Sequence, residues 1–402
     1  PVSAGGIGRF RFESDDTFSY QFRSGKEIRT NRVFRDTAAW YHIVAAADSS
    51  QSTASNRMKL YVNGVEETSF SAATYQDQDQ ASPGWGKYTI YNLRVGAAAS
   101  NTRNFNGYIA EMYYIDGQTL DPTSFGEFDS DSGIWIPKAF SGTHGTLDTY
   151  LNFSDSSNLG KNSGGTTDLG ANNITAADQS TDTCTNNFAI INTLFKYPSS
   201  QVINEGATKV DRTSGSGINK TFYSTFAMTA GKFYFEAQPT EGSGTMIGVE
   251  SITTASNTDA DSVFVGQQST GVGYYASNGQ KFTSGSGSSY GDTYGNSDII
   301  GVALDMDNRK VYFAKNNTYQ NSGDPTSGST GTGAIDLPDS TDGYVFAVSY
   351  DSGGQWVVNF GGFTTMSISS SASDGNSIGA FEFAPPSGYL ALCTKNLGSD
   401  GG

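Results

Sequence analysis

The stretch Asp298-Ile299-Ile300-Gly301-Val302-Ala303-Leu304-Asp305-Met306-Asp307-Asn308-Arg309-Lys310-Val311-Tyr312-Phe313-Ala314 alternates its side chains with a period of two on both sides of one turn. Ile300, Val302 and Leu304 share a face, Asp307-Asn308 reverses the chain, and Val311 and Phe313 return on the partner strand. That period belongs to strands, so the segment predicts an antiparallel hairpin. The same signal recurs at 232–237, 246–249, 272–275, 344–350 and 355–360, where Trp356, Val358 and Phe360 share a face. Repeated short strands with turn residues between them predict a β-sandwich. The intervening loops, notably 283–295 and 316–333, are too polar for a core and are where binding groups would sit.

The first half reads the same way. Strands are expected at 40–44, at 58–62 leading into the turn pair Asn63-Gly64, and at 108–115 ending in Asp116-Gly117. Tyr91, Leu93 and Val95 alternate with Asn92 and Arg94, and Asp121-Pro122 supports one helical turn. From 154 to 185 the composition shifts to Asn, Ser, Gly, Thr and Asp, which predicts a polar linker. The expected organisation is a sandwich over 1–153, a linker over 154–185 and a second sandwich over 186–397.

Composition bounds the function classes. The length of 402 residues predicts two to three domains. Glycine supplies 49 residues and charged side chains 16%, which disfavours long charged helices, while 25 Phe and 22 Tyr supply large buried areas. With 24 basic and 40 acidic side chains the net charge is −16, so a phosphate backbone would be repelled and nucleic acid is not expected as a partner. No apolar run approaches the length of a membrane helix, and membrane insertion is not expected. The sequence opens at Pro1 rather than Met and reads as an excerpt of a longer chain.

Two resemblances sharpen this reading. Phe34-Arg35-Asp36-Thr37-Ala38-Ala39-Trp40-Tyr41-His42-Ile43-Val44, Asn56-Arg57-Met58-Lys59-Leu60-Tyr61-Val62-Asn63-Gly64, Phe105-Asn106-Gly107-Tyr108-Ile109-Ala110-Glu111 and Ile115-Asp116-Gly117 resemble the laminin-G-like, concanavalin A-like jelly rolls of bacteriophage structural proteins. Strands that usually precede Ile7 in such a domain are missing. Gly231-Lys232-Phe233-Tyr234-Phe235-Glu236, Ile247-Gly248-Val249, the 298–307 stretch and Val358-Asn359-Phe360-Gly361 resemble a SPRY domain, itself a concanavalin A-like sandwich. Leu120-Asp121-Pro122-Thr123-Ser124-Phe125-Gly126-Glu127 and Phe383-Ala384-Pro385-Pro386-Ser387-Gly388-Tyr389-Leu390-Ala391-Leu392-Cys393 are similar to segments of phage tail-fibre or capsid-fibre proteins. The resemblance implies an all-β chain of two such jelly rolls on the exterior of a phage virion. Other virion proteins, a host cell-surface glycan and further copies of the chain, a trimer by family habit, are the implied partners. It also implies that Cys184 and Cys393 approach each other, which would allow a disulfide; two unpaired buried thiols are the alternative.

Catalytic chemistry finds little support. His42 lies inside an expected strand and His144 in Ser141-Gly142-Thr143-His144-Gly145. Gly287-Ser288-Ser289-Tyr290-Gly291 fits G-x-S-x-G but lies in a Gly/Ser loop with no helix after it, whereas the nucleophile elbow needs a strand-to-helix turn. The alternating Glu-x-Asp-x-Glu strand of one glycosidase group is absent, and the pairs Asp77/Asp79, Asp129/Asp131, Asp259/Asp261 and Asp305/Asp307 read as turn residues. Ca²⁺ lacks a complete ligand set, because Arg309 stands where a loop oxygen belongs, and no Gly-Lys pair is followed by Ser or Thr as a phosphate loop requires. No cofactor and no catalytic or metal-ligating residue is therefore expected. What remains is recognition by rings and amides that stack on sugars and bond hydroxyls. The candidates are Tyr274, Tyr275, Tyr290, Asp292, Tyr294, Asn316 and Tyr319 in the second half, and Tyr75, Trp85 and Tyr88 in the first. The competing role for these rings is to cover strand ends or a subunit contact. The expected function is a non-enzymatic virion protein that adheres to host glycan. The alternatives are a spacer or decoration binding other virion proteins and, more remotely, a polysaccharide depolymerase.

Overall fold

A computed structural model describes residues 8–23, 25–80, 93–97, 104–130, 133–145, 147–195, 201–212, 220–242, 244–257, 263–340, 342–350 and 354–400. The chain divides into two compact units, one of Pro1–Phe105 with Ile109–Gln179 and one of Asn106–Tyr108 with Ser180–Gly402. Both are built of strands. Among the described residues α-helix is confined to α1 (Ile252–Asn257) and α2 (Thr394–Asp400), and no helix is long and apolar enough to cross a membrane.

The first unit holds β1 (Arg9–Phe12), β2 (Thr17–Arg23), β3 (Lys26–Val33), β4 (Ile43–Ala47), β5 (Met58–Val62), β6 (Val65–Glu66), β7 (Phe70–Thr74), β8 (Met112–Tyr114), β9 (Gly126–Phe128), β10 (Trp135–Pro137) and β11 (Thr149–Leu151). One sheet runs β1-β2-β3-β7 and another β4-β5-β6, while β8 pairs β11 and β9 pairs β10. The alternation seen in the sequence sets the core: Met58, Leu60 and Val62 of β5 point inward and join Phe18, Tyr20, Phe22 and Ile28. Burying one such side chain is worth roughly 1.5–3 kcal/mol. Asn63 (φ 48°) and Gly64 (φ 80°) make the expected turn, and a Cβ on Gly64 would lie 2.3 Å from the Trp135 ring. Asp121 caps a single turn at Pro122–Ser124 by accepting from the Thr123 amide at 2.9 Å.

The strand expected at 40–44 starts only at Ile43, and the one at 108–115 shortens to β8. Leu93 and Val95 are half-buried outside any strand; Tyr91 lies outside the described residues. The polar stretch after 153 is folded rather than a free span as far as Gln179. The Asn162 amide accepts from Tyr150 N at 2.9 Å and donates to Asp148 O at 3.1 Å, Gln179 donates to Phe153 O at 2.7 Å, and the boundary between units falls after Gln179. Asn, Asp and Ser serve here as side-chain partners for an irregular backbone.

The second unit holds β12 (Gln201–Asn204), β13 (Lys209–Arg212), β14 (Lys220–Tyr223), β15 (Lys232–Glu241), β16 (Thr245–Ser251), β17 (Val272–Tyr275), β18 (Gln280–Thr283), β19 (Ser286–Ser289), β20 (Ile300–Asp305), β21 (Lys310–Lys315), β22 (Thr318–Tyr319), β23 (Ile335–Asp336), β24 (Tyr344–Tyr350), β25 (Gln355–Asn359) and β26 (Leu390–Ala391). One sheet runs β12-β13-β25-β15-β20-β21-β22, with β23 on β21 and β26 parallel to β15; the other runs β14-β24-β16-β17-β18-β19. Phe235, Val302, Leu304 and Trp356 of the first sheet meet Ile247, Val249, Phe346 and Val348 of the second in one core, and the Phe235 and Phe346 rings lie 4.2 Å apart. The β20–β21 hairpin forms in the expected register, from Ile300 opposite Lys315 to Asp305 opposite Lys310. Asp305 accepts from the Asn308 amide at 2.9 Å and pairs with Lys232 at 2.9 Å, and Asp307 accepts from Gly231 N at 2.8 Å, so both aspartates serve the turn and its seat on β15.

The ends of this unit do come together, since Phe188 bridges to Cys393 and the Ala189 amide donates to Leu392 O at 2.9 Å. No disulfide follows. Cys393 is fully buried against Phe188, Tyr234 and Tyr389, whereas Cys184 sits exposed in the turn of the Thr183–Asn186 bridge.

Candidate functional site

An open recess of about 520 Å³ lies where the chain leaving β19 meets β22 and the turn after it. Its lining is Ser289, Tyr290, Gly291, Asp292, Thr318, Tyr319, Gln320, Asn321 and Ser322. Two hairpins place these residues. Asn316 (φ 46°) and Asn317 (φ 66°) are both left-handed between Lys315 and its cross-strand partner Thr318, the arrangement of a type I′ turn that tolerates Asn. Ser284 (φ 50°) and Gly285 (φ 72°) repeat it between β18 and β19.

Gln320 ties the two sides together. It is buried, its Oε1 accepts from the Asp292 amide at 2.8 Å, and its Nε2 donates to Thr318 O at 2.8 Å. Gly291 is required beside it, because a Cβ there would stand 2.6 Å from Gln320 Oε1. Asn321 (φ 54°) and Ser322 (φ 53°) hold left-handed backbones at the rim. For non-glycine residues this costs on the order of 1 kcal/mol each, and such strain concentrates at functional sites. The exposed groups are hydroxyls of Ser289, Thr318 and Ser322, the Asn321 amide and the Asp292 carboxylate, with the half-buried Tyr319 ring beneath.

Of the residues anticipated from sequence, Tyr290, Asp292 and Tyr319 line this recess. The others go elsewhere, and the Tyr274 and Tyr294 rings, with most of the Tyr290 ring, are inside the core. Tyr274 is fully buried and its hydroxyl donates to Asp292 O. Tyr294 is 6% exposed and its hydroxyl donates to Tyr274 O at 2.8 Å. Tyr290 is 8% exposed and its hydroxyl accepts from Phe313 N at 3.3 Å, so it contributes little more than an edge to the lining. Burial pushes all three phenols well above their ordinary range. A buried tyrosine ring needs a partner for its hydroxyl, and here each finds one on the backbone.

Asn316 is likewise spent on structure, accepting from Ile299 N at 2.9 Å and donating to Asp298 at 2.7 Å. Tyr275 is half-buried against the Phe282 ring, and Tyr75 packs on the core of the first unit. Trp85 and Tyr88 lie outside the described residues. Thr318, Gln320, Asn321 and Ser322 were missed, for the sequence marks them only as a polar loop following two asparagines.

Both histidines belong to the first unit, and neither is among the lining residues. His42 Nδ1 accepts from the Trp135 indole at 2.9 Å, and burial lowers its pKa; His144 lies beside Asp148 at 3.7 Å and stacks on Tyr113 and Tyr150. Among the described residues no group of three or more His, Cys, Asp or Glu side chains could hold a metal ion.

Comparison with known proteins follows these divisions. Residues 2–121 match the family described as the concanavalin A-like lectin/glucanases superfamily, in its laminin-G form, and residues 232–335 match the SPRY domain. No curated protein matches the chain. Among solved structures, a human SPRY domain is 16% identical with a TM-score of 0.32, covering 40% of this chain and 94% of that one. The SPRY domain of human HERC1 is 15% identical with a TM-score of 0.31, covering 40% and 92%. The chain thus carries a concanavalin A-like, laminin-G-like domain followed by a SPRY domain, both built from β-sheets.

Proposed function

We propose that this chain is a non-enzymatic protein of the exterior of a bacteriophage particle that attaches to a host-surface glycan through the recess of its SPRY domain. The observation that carries the reading is the lining of that recess, with exposed hydroxyls, an amide and a carboxylate around the half-buried Tyr319 ring. Such groups bond sugar hydroxyls while a ring stacks on the sugar face. A hydrolase would need a second carboxylate across the scissile bond, and the lining has only Asp292. Weak single contacts would become firm attachment through many copies on one particle.

Intact host cells should bind the purified chain saturably, and Asp292→Ala with Tyr319→Ala should lower that binding about tenfold, the loss of about 1.4 kcal/mol. Binding that is absent, or unchanged in the double variant, refutes the glycan site. A second reading, that the chain is a spacer or decoration binding other virion proteins, is favoured by the strand edge beside the recess. β19 is an outer strand whose four residues are all exposed.

A further inference from the structure

The open edge of β19 runs directly into the recess. Next to a two-residue turn, the flanking residues exchange both backbone hydrogen bonds, and bonding then alternates along the hairpin. Thr283 faces Ser286 and Lys281 faces Ser288 in the bonded positions, which leaves Gly287 and Ser289 in the non-bonded ones. Their N–H and C=O groups therefore point away from β18. Among the described residues no hydrogen bond reaches Gly287 N or Ser289 N from that side. Protein edges are normally blunted by Lys, Pro or a bulge, and Ser286-Gly287-Ser288-Ser289 has none of these.

Two further features select an occupant. The half-buried Phe282 ring and the Gln280 side chain lie over Gly287, since a Cβ there would stand 2.9 Å from the ring and 2.7 Å from Gln280 Oε1. That ring keeps part of its surface exposed, and an apolar side chain beside Gly287 on an added strand would pack against it. Ser289 also lines the recess, whose only charged residue is Asp292. Among the described residues no cation pairs with Asp292; the neighbouring Lys315 is engaged with Asp298 and with Thr293 O.

We propose that β19 accepts an extended segment of another protein as an added strand, with an apolar residue beside Gly287 and a Lys or Arg in the recess against Asp292. This rests on the second reading above, in which the chain binds other proteins. A second copy of the chain fits less well. A like-charged recess on the other copy would not complement Asp292, and the net charge of −16 sets two copies against each other. A glycan bonds such groups singly, but only an extended backbone repeats donor and acceptor at the strand spacing that pairs with the whole edge.

The test is a yeast-displayed library of random linear peptides, panned on the full chain, with the enriched peptides synthesised and titrated by fluorescence anisotropy. Ser289→Pro removes an outward donor that the β18 ladder does not use, and Asp292→Asn removes the charge. The expected peptides carry an apolar and a basic residue, bind about tenfold more weakly to each variant, and slow hydrogen exchange at the Gly287 and Ser289 amides of the unaltered chain. If Ser289→Pro fails to fold by circular dichroism, the exchange measurement and Asp292→Asn decide alone. No enriched peptide, or peptides that leave both amides unprotected and bind both variants equally, overturns the proposal. Cross-linking of intact particles tests the wider reading separately. Links to other virion proteins alongside a failed peptide test overturn only the β19 site, and no link to any virion protein overturns the reading itself.

Discussion

Glu236 has no exposed surface, yet its carboxylate collects four donors: Glu382 N at 2.9 Å, Phe383 N at 2.8 Å, the Tyr234 hydroxyl at 3.1 Å and Asn359 Nδ2 at 3.3 Å. It pins the segment after β25 onto β15. Glu250, 2% exposed, accepts from the Thr270 hydroxyl at 2.7 Å and from Ser251 N at 3.1 Å. Burial pushes both carboxyls up to about 7. The folded state therefore holds protons that the unfolded chain has already released. Stabilisation from these groups is complete below the ordinary value of 4.5 and is lost as pH rises through about 7. At 1.36 kcal/mol per pKa unit, each site accounts for about 3 kcal/mol. Urea unfolding of the second unit should weaken from about pH 5 to pH 8. Glu250→Gln should remove about half of that slope, because its amide oxygen still accepts from Thr270; an unaltered slope would contradict this origin. Glu236→Gln should instead destabilise at every pH, by about 2 kcal/mol, since its NH₂ would face backbone donors.

The thiols give a second prediction at this scale. Burial pushes Cys393 up, and it packs among aromatic rings. A maleimide should label native chain at Cys184 and reach Cys393 only in denaturant, as read by peptide mass mapping. Protection of Cys184 until a reductant is added would restore the disulfide.

At the scale of elements, hairpins were legible because a period of two and a turn pair are both local. Asn63-Gly64 and the strands from Lys310 to Lys315 and Tyr344 to Tyr350 fall where the pattern puts them. The inward turn of Tyr274, Tyr290 and Tyr294 was not legible, because it depends on carbonyls and amides of distant strands that meet their hydroxyls. Asn316 misled for a related reason: an amide suited to a sugar is equally suited to a left-handed turn. Asn317→Ala should cost about 1 kcal/mol in denaturant unfolding, Asn317→Gly should be neutral, and Asn316→Ala should cost about 2 kcal/mol by losing two side-chain bonds. Equal stability of Asn317→Ala and the parent would show that the φ of 66° is unstrained.

At the scale of the whole molecule, the sequence located two all-β units but not their exact limits, since polar residues 154–179 look like a linker and act as a bonded part of the first unit. The second unit is closed by its own ends. Tyr389, Leu390, Ala391, Leu392 and Cys393 are each at most 7% exposed, β26 pairs with β15, and Thr394 N donates to Asn187 O at 2.9 Å. Ending the chain after Ser387 would strip these side chains from Phe233, Tyr234 and Phe188, at a cost of several kcal/mol against the 5–15 kcal/mol stability of an ordinary domain. Hydrogen exchange on that truncated chain should show β20 amides losing protection, while β2, whose Phe18 and Tyr20 belong to the other core, keeps its own. Retained protection in β20 would mean that the last strand is an accessory to the second core rather than the piece that completes it.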